Sequence, residues 1–128
     1  MRDFESAEKQ IIDQNEILFF EVEETREKGL EFCIQKAITQ LNNCDQIYIS
    51  FDVDSLDCDR VSYGTGTPVP VGFTSGEINE LFELFVRTKK VCCVEFTEVN
   101  PLLDNKGNKM AETAFEILDQ LVVDLMRP

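Results

Sequence analysis

Three closely spaced carboxylates follow one apolar segment of the chain. The segment runs from Ile47 to Asp52, and Asp54 and Asp57 come directly after it. Asp52 and Asp54 are two residues apart, so their side chains point to the same side of an extended chain. Two carboxylates on one side repel each other unless a cation lies between them. The spacing therefore predicts a site for a divalent metal ion, an arginine or a lysine.

The composition indicates one globular domain, which we expect to span residues 1–128. The chain has 128 residues, 43% of them hydrophobic, and a net charge of −13. This length and composition suit one modest core. An acidic chain lacks the basic face that nucleic acid needs, so we expect no nucleic-acid partner. Cations or a cationic substrate are compatible with the charge, although most of these acids are expected to be solvated surface residues.

The five cysteines and the absence of histidine narrow the chemistry further. Five is an odd number, and the cysteine spacings suggest no disulfide framework, so we expect reduced thiols in a cytoplasmic protein.

No apolar stretch reaches the length needed to cross a bilayer, and the first residues form no apolar signal-peptide core, so no membrane partner is expected. Because the chain contains no histidine, any metal must be held by oxygen atoms or completed by another chain.

Helical and strand-like patterns alternate along the sequence. Apolar residues at helical spacing predict helices at 4–15, 24–41, 74–87 and 110–126, and short apolar runs predict strands at 17–22, 46–52 and 91–96. Thr74 and Glu77 form a capping box at the start of the third helix. The alternation predicts an α/β fold in which a parallel sheet, buried on both faces, is flanked by helices.

The polar residues that could do chemistry follow two of the predicted strands. Asp52 and Asp54 come at the carboxyl end of one strand, and Glu98 follows the next. In open parallel sheets, ligands bind outside the carboxyl ends of the strands. The long irregular stretch at 54–73 also begins there, and long loops in compact domains are often functional. We therefore expect both loops to open onto the same edge of the sheet.

Several interpretations of the acidic cluster compete. An EF-hand fits poorly, because Asp57 takes the place of the required glycine and Tyr63 that of the final glutamate. A haloacid-dehalogenase-like, Mg²⁺-dependent phosphatase also has Asp-x-Asp after a buried strand. That family places its motif near the start of the domain and follows it with a basic residue and a further acidic pair, which this chain does not clearly provide. Ordinary turn and cap residues are the remaining alternative.

Three motifs in a fixed order resemble the C-terminal part of the arginase (ureohydrolase) family. They are Ser-Phe-Asp-Val-Asp-Ser-Leu-Asp at 50–57, Gly-Thr-Gly-Thr-Pro-Val at 64–69 and Glu-Val-Asn-Pro at 98–101. Within the family, Glu-Val-Asn-Pro is most similar to arginase itself. The resemblance implies part of a three-layer α/β fold and a hydrolase that uses two Mn²⁺ ions to cleave a guanidinium substrate, such as arginine, releasing urea and ornithine.

The resemblance also implies roles for individual residues. Asp52 corresponds to a carboxylate that bridges both metals, and Asp54 to a ligand of one of them. Glu98 corresponds to the carboxylate that receives the guanidinium, with Thr67 nearby in the substrate loop. Asp57 is expected to fix the loop or to support a metal ligand through a hydrogen bond. Hard carboxylate oxygens suit Mn²⁺, and a carboxylate matches the planar fork of a guanidinium.

The chain departs from the family pattern in one large respect. Complete members are longer, and their earlier segments supply histidine ligands and a catalytic histidine that are absent here. We therefore expect no certain catalytic residue in this chain, weak Mn²⁺ binding and no hydrolysis by the chain alone. It could be a fragment, a subunit that associates with the missing N-terminal half, or a non-catalytic interaction module. An exposed strand edge would also favour a homo-oligomer.

Overall fold

The computed structural model describes residues 5–127. Within this range the chain forms five helices, two strands and one short 3-10 turn. In chain order they are α1 (Ser6–Gln14), α2 (Val22–Lys28), α3 (Leu30–Gln40), β1 (Ile47–Asp52), the 3-10 turn (Val53–Ser55), α4 (Ser75–Val86), β2 (Val91–Thr97) and α5 (Lys109–Leu125). None of the helices formed by residues 5–127 has the length and apolarity to cross a membrane.

The two strands form a parallel sheet, as the alternating pattern predicted. β1 and β2 pair in parallel, with Asp52 opposite Thr97, and α4 makes the crossover between them. Parallel neighbours need such a crossover because a tight hairpin can join only antiparallel strands. The predicted α/β class, with helices beside a parallel sheet, is confirmed.

The apolar core lies between one face of this sheet and helices α4 and α5. Phe51 on β1 meets Phe82 on α4 edge to face, with ring centroids 5.5 Å apart, and Ile117 on α5 is fully buried. The expectation that both faces of β1 are buried is wrong for the described chain. Its alternate residues Tyr48 and Ser50 are exposed on the other face, with Tyr48 56% exposed. Buried and exposed residues alternate along β1 because helices cover only one face of the sheet.

Two elements near the start differ from the sequence prediction. Residues 17–21 form no strand, and Val22 begins α2 instead. A strand needs a hydrogen-bonded neighbour, and β1 and β2 are the only named strands that residues 5–127 contain. The helix predicted at 24–41 is divided at Gly29, whose φ of +91° ends α2 and begins α3. Phe4, in the predicted first helix, lies outside the described residues.

The predicted capping box at the start of α4 is confirmed and is extended by an arginine. Glu77 accepts a hydrogen bond from the backbone N–H of Thr74, and the Thr74 hydroxyl accepts one from the backbone N–H of Glu77. Arg26 on α2 donates two hydrogen bonds to the Glu77 carboxylate, at 2.9 and 3.0 Å, and a third to the carbonyl of Gly72. Arg26 therefore ties α2 to both α4 and the end of the long loop.

This arginine contact predicts a specific pH dependence of stability. The hydrogen bonds from Arg26 lower the pKa of Glu77 to about 2, below the value of about 4.3 expected in an unfolded chain. The contact therefore stabilises the fold fully above about pH 4.3, and this contribution is lost as the pH falls through 2. We expect Glu77→Gln to lower the free energy of unfolding by about 1–2 kcal/mol at pH 7.

Urea denaturation at several pH values measures this effect. The difference between Glu77→Gln and wild type should shrink between about pH 4.3 and pH 2. Glu80→Gln is the matched control, because Glu80 is an exposed acid on the same helix, and it should change stability by less than about 0.5 kcal/mol. A Glu77→Gln difference that is constant with pH would contradict this account.

Candidate metal and substrate site

Asp52 and Asp54 lie where β1 ends and the chain turns. The Asp52 carboxylate accepts a hydrogen bond from the backbone N–H of Asp54 at 2.8 Å, and the Ser55 hydroxyl donates to the Asp52 carbonyl at 2.7 Å. These contacts hold the 3-10 turn and keep the two acids together. Both acids line one cavity of about 650 Å³ beside β1.

The long loop brings Thr67 to the same cavity. The Thr67 hydroxyl donates a hydrogen bond to the Asp54 carboxylate, and Thr67 lines the cavity with both acids. The family resemblance implied a position for Thr67 near the substrate, and in the structure its hydroxyl contacts Asp54, a candidate metal ligand. The hydroxyl can therefore orient Asp54 by donating to it and can still accept a hydrogen bond from a ligand.

A backbone contact joins the two loops that carry the second and third motifs. The N–H of Asn100 donates to the carbonyl of Gly64 at 2.8 Å. A Cβ added to Gly66 would lie 3.3 Å from Oε2 of Glu98, so the Glu98 side chain lies against the loop segment at 64–69. Since Asp52 pairs with Thr97, Glu98 leaves its strand at the same level as the aspartates. Both loops therefore open onto one edge of the sheet, as predicted.

Glu98 has a backbone conformation that is unusual for its residue type. Its φ is +64°, in the left-handed region that glycine adopts more readily, and its side chain is exposed. Such conformations cost free energy and persist where the surrounding structure holds them, often at functional sites. β2 ends just before Glu98, and the chain then turns so that the N–H of Asn100 donates to the carbonyl of Gly64.

Asp57 lies apart from the cavity and holds the beginning of the long loop. It is 8% exposed, accepts a hydrogen bond from the backbone N–H of Asp59 and forms an ion pair with Arg60 at 3.4 Å. Its own N–H donates to the carbonyl of Phe73. The carboxylate contacts are local to the start of the loop, whereas the backbone contact with Phe73 joins its two ends.

Sequence reasoning missed Asp104 as a positioning residue. Its carboxylate accepts hydrogen bonds from the Ser62 hydroxyl at 2.9 Å and from the backbone N–H groups of Lys106 and Met110 at 2.8 Å. It thereby joins the long loop at 54–73 to the start of α5. The Asp-Asn-Lys-Gly segment before that helix has the composition of a turn, but no local pattern shows that Asp104 pairs with Ser62, which is 42 positions away.

The described residues supply part of a metal site. No group of three or more acidic or cysteine side chains within residues 5–127 converges closely enough to enclose a metal ion. Asp52 and Asp54 offer hard oxygen donors of the kind that suit Mn²⁺, Mg²⁺ or Ca²⁺. Two carboxylates leave most coordination positions of even one such ion open. The donor chemistry therefore fits a divalent ion, whereas the number of ligands requires further groups.

A parallel sheet with acids at the carboxyl ends of adjacent strands defines an α/β protein with a candidate ligand site at that edge. The sequence profile of the arginase family matches residues 1–123. The chain belongs to the arginase family.

The similar proteins are longer than this chain. Arginase of Bacillus subtilis is 31% identical over 121 residues, which are 94% of this chain and 40% of that protein. Arginase of Staphylococcus aureus strain MRSA252 is 33% identical over 120 residues, 92% of this chain and 39% of that protein. A crystal structure of the Bacillus subtilis arginase aligns with a TM-score of 0.87 and 30% identity, covering 99% of this chain and 44% of that one. The chain thus spans about two-fifths of these relatives.

Proposed function

We propose that this chain supplies the C-terminal part of a manganese-dependent amidinohydrolase. The complete enzyme would hydrolyse a guanidinium substrate, such as arginine, to urea and ornithine in the cytoplasm. The observation that supports the proposal is the meeting of Asp52, Asp54 and Thr67 around one cavity, with Glu98 against the adjoining loop, in a chain of the arginase family.

Each of these residues has a role that suits its surroundings. Asp52 and Asp54 would be ligands of Mn²⁺, with Thr67 orienting Asp54 through its hydroxyl. Glu98 would receive the guanidinium, because its exposed carboxylate can accept paired hydrogen bonds from a planar fork. When bound, a pair of metal ions would lower the pKa of a water molecule enough for hydrolysis near neutral pH.

We propose further that the chain associates either with a polypeptide that carries the missing part of the fold or with another copy of itself. Two acids and no histidine leave the metal site incomplete. The sheet has two strands, and each has one edge without a strand partner among residues 5–127. Such edges favour association.

The isolated chain should bind Mn²⁺ weakly and release no urea from arginine. Metal analysis after dialysis against Mn²⁺, together with a urea-release assay, measures both properties. Phosphate release from p-nitrophenyl phosphate with Mg²⁺ should also be absent, which separates this proposal from a haloacid-dehalogenase-like phosphatase. Tight stoichiometric Mn²⁺ with turnover would refute the claim that the site is incomplete, and phosphate release would favour the alternative enzyme.

A further inference from the structure

Two adjacent cysteines near the start of β2, Cys92 and Cys93, both have exposed side chains. Successive side chains of a regular strand point to opposite faces, so one of two neighbours would normally face the core. The pairing with β1 explains the exception. Ile47 lies opposite Val91. The next residue, Tyr48, lies opposite Cys93, so Cys92 is an extra residue, as in a β-bulge. The irregular pairing therefore leaves two neighbouring thiols open to solvent.

The other cysteines are placed differently. Cys33 and Cys58 are buried, and Cys44 is exposed but has no cysteine beside it in the sequence. Two thiols on adjacent residues can bond to the same atom, and the second bond then forms within one molecule. Such a second, linked contact can raise the affinity by about 100-fold or more over a single contact. Cys92 and Cys93 are therefore the exposed pair that can chelate.

The short distance between the two residues favours a bridging atom over a direct disulfide. Adjacent Cα atoms are about 3.8 Å apart across a trans peptide bond. Disulfides normally join Cα atoms about 4.4–6.8 Å apart, and shorter separations strain the bond. An atom bonded to both sulfurs lengthens the bridge and relieves that strain.

The surroundings of the pair narrow the choice of bridging atom. A structural zinc ion requires four ligands, yet no group of three or more acidic or cysteine side chains within residues 5–127 converges to hold a metal ion. Trivalent arsenic bonded to an organic group needs only two sulfur atoms, because carbon takes its third valence. Organic arsenic(III) oxides are also uncharged, so a chain with a net charge of −13 does not repel them.

From this geometry we infer that Cys92 and Cys93 form a two-thiol binding site for trivalent arsenic compounds. Each sulfur forms one bond to arsenic. The two thiol protons leave with the oxygen of the arsenic oxide as one molecule of water. Arsenic remains trivalent and both sulfurs keep their oxidation state, so the step needs no oxidant.

The reaction disturbs the fold little. The Cys92 thiol donates a hydrogen bond to the carbonyl of Ile47 at 3.5 Å, and this bond is lost with the proton. The loss costs little because a thiol is a weak donor. Neither thiol lines the cavity that contains Asp52 and Asp54, so the inference is independent of the proposed function.

Phenylarsine oxide, added to the reduced full chain, is the probe. The intact mass should show one phenylarsenic group gained and two hydrogens lost per chain. Excess 2,3-dimercaptopropanol should remove the group, whereas the monothiol glutathione should leave it bound. Cys92→Ser and Cys93→Ser should each weaken binding at least about 100-fold, because each leaves one thiol. Cys44→Ser, which removes an exposed single cysteine, should leave binding unchanged.

Several results would overturn the inference. They are release of the group by glutathione, equal weakening by Cys44→Ser, and an adduct that retains both thiol hydrogens. A stoichiometric Zn²⁺ ion that survives dialysis of the untreated chain would assign the pair to zinc instead. A Cys92–Cys93 disulfide that forms in air and persists in glutathione would show that the pair does not require a bridging atom. If a serine variant fails to fold by circular dichroism, the wild-type comparison of dithiol with monothiol decides the matter.

Discussion

Replacing Gly72 with alanine should destabilise the chain severely, by more than about 3 kcal/mol. A Cβ at this position would lie 2.4 Å from the carbonyl carbon of Leu56 and 2.5 Å from the backbone nitrogen of Asp57. Because these are backbone atoms, no side-chain rotation can relieve the contact. The substitution would also separate the two ends of the long loop, where Phe73 bonds to Ser55 and Asp57.

Urea denaturation of Gly72→Ala and Gly76→Ala tests this expectation directly. Gly76 lies in the first turn of α4, and the nearest atom to an added Cβ is 3.9 Å away. The same substitution there should be neutral or stabilising by up to about 1 kcal/mol, since alanine favours helix more than glycine does. Equal effects at both positions would show that the close approach at Gly72 is not what holds the loop.

Asp54→Asn in the completed enzyme should reduce urea release by at least about 100-fold, which is the upper end of the loss when a group that supports a metal ligand is removed. Asn has the shape of Asp but lacks its charge, so it is a weaker ligand for Mn²⁺. The Thr67 hydroxyl can still donate to the remaining oxygen, which keeps the loop in place.

Urea release and Mn²⁺ affinity should be measured together on this variant and on Asp45→Asn. Asp45 is an exposed acid just before β1, so its substitution makes the same charge change outside the site. We expect full activity for Asp45→Asn, and a higher Mn²⁺ requirement only for Asp54→Asn. Comparable losses of urea release in both variants would indicate a general charge effect and would contradict the proposed ligand role of Asp54.

The sequence predicted the elements that depend on local chemistry and strong patterns. The helix from Thr74 onward has a capping box and an apolar stripe, and both appear in the structure. The short apolar runs predicted β1 and β2, and the rule that parallel strands present their carboxyl ends at one edge placed Asp52 and Glu98 together. The assignment of the motifs to the arginase family is confirmed.

The parts that could not be predicted depend on contacts between distant residues. The run at 17–22 has the composition of a strand, but strand formation requires a pairing partner that composition does not specify. The Arg26–Glu77 contact and the Ser62–Asp104 contact join residues 51 and 42 positions apart, which no local pattern shows. The cavity beside β1 likewise exists only because α2, the loop and α4 come together there.

The central claim is that this chain holds one side of a metal site which another polypeptide completes. The direct measurement is Mn²⁺-dependent urea release from arginine by the chain alone, by the unmatched part of Bacillus subtilis arginase alone, and by the two combined. We predict urea release only from the combination and only with Mn²⁺. Turnover by this chain alone, or a stable complex that neither binds Mn²⁺ nor releases urea, would contradict the claim.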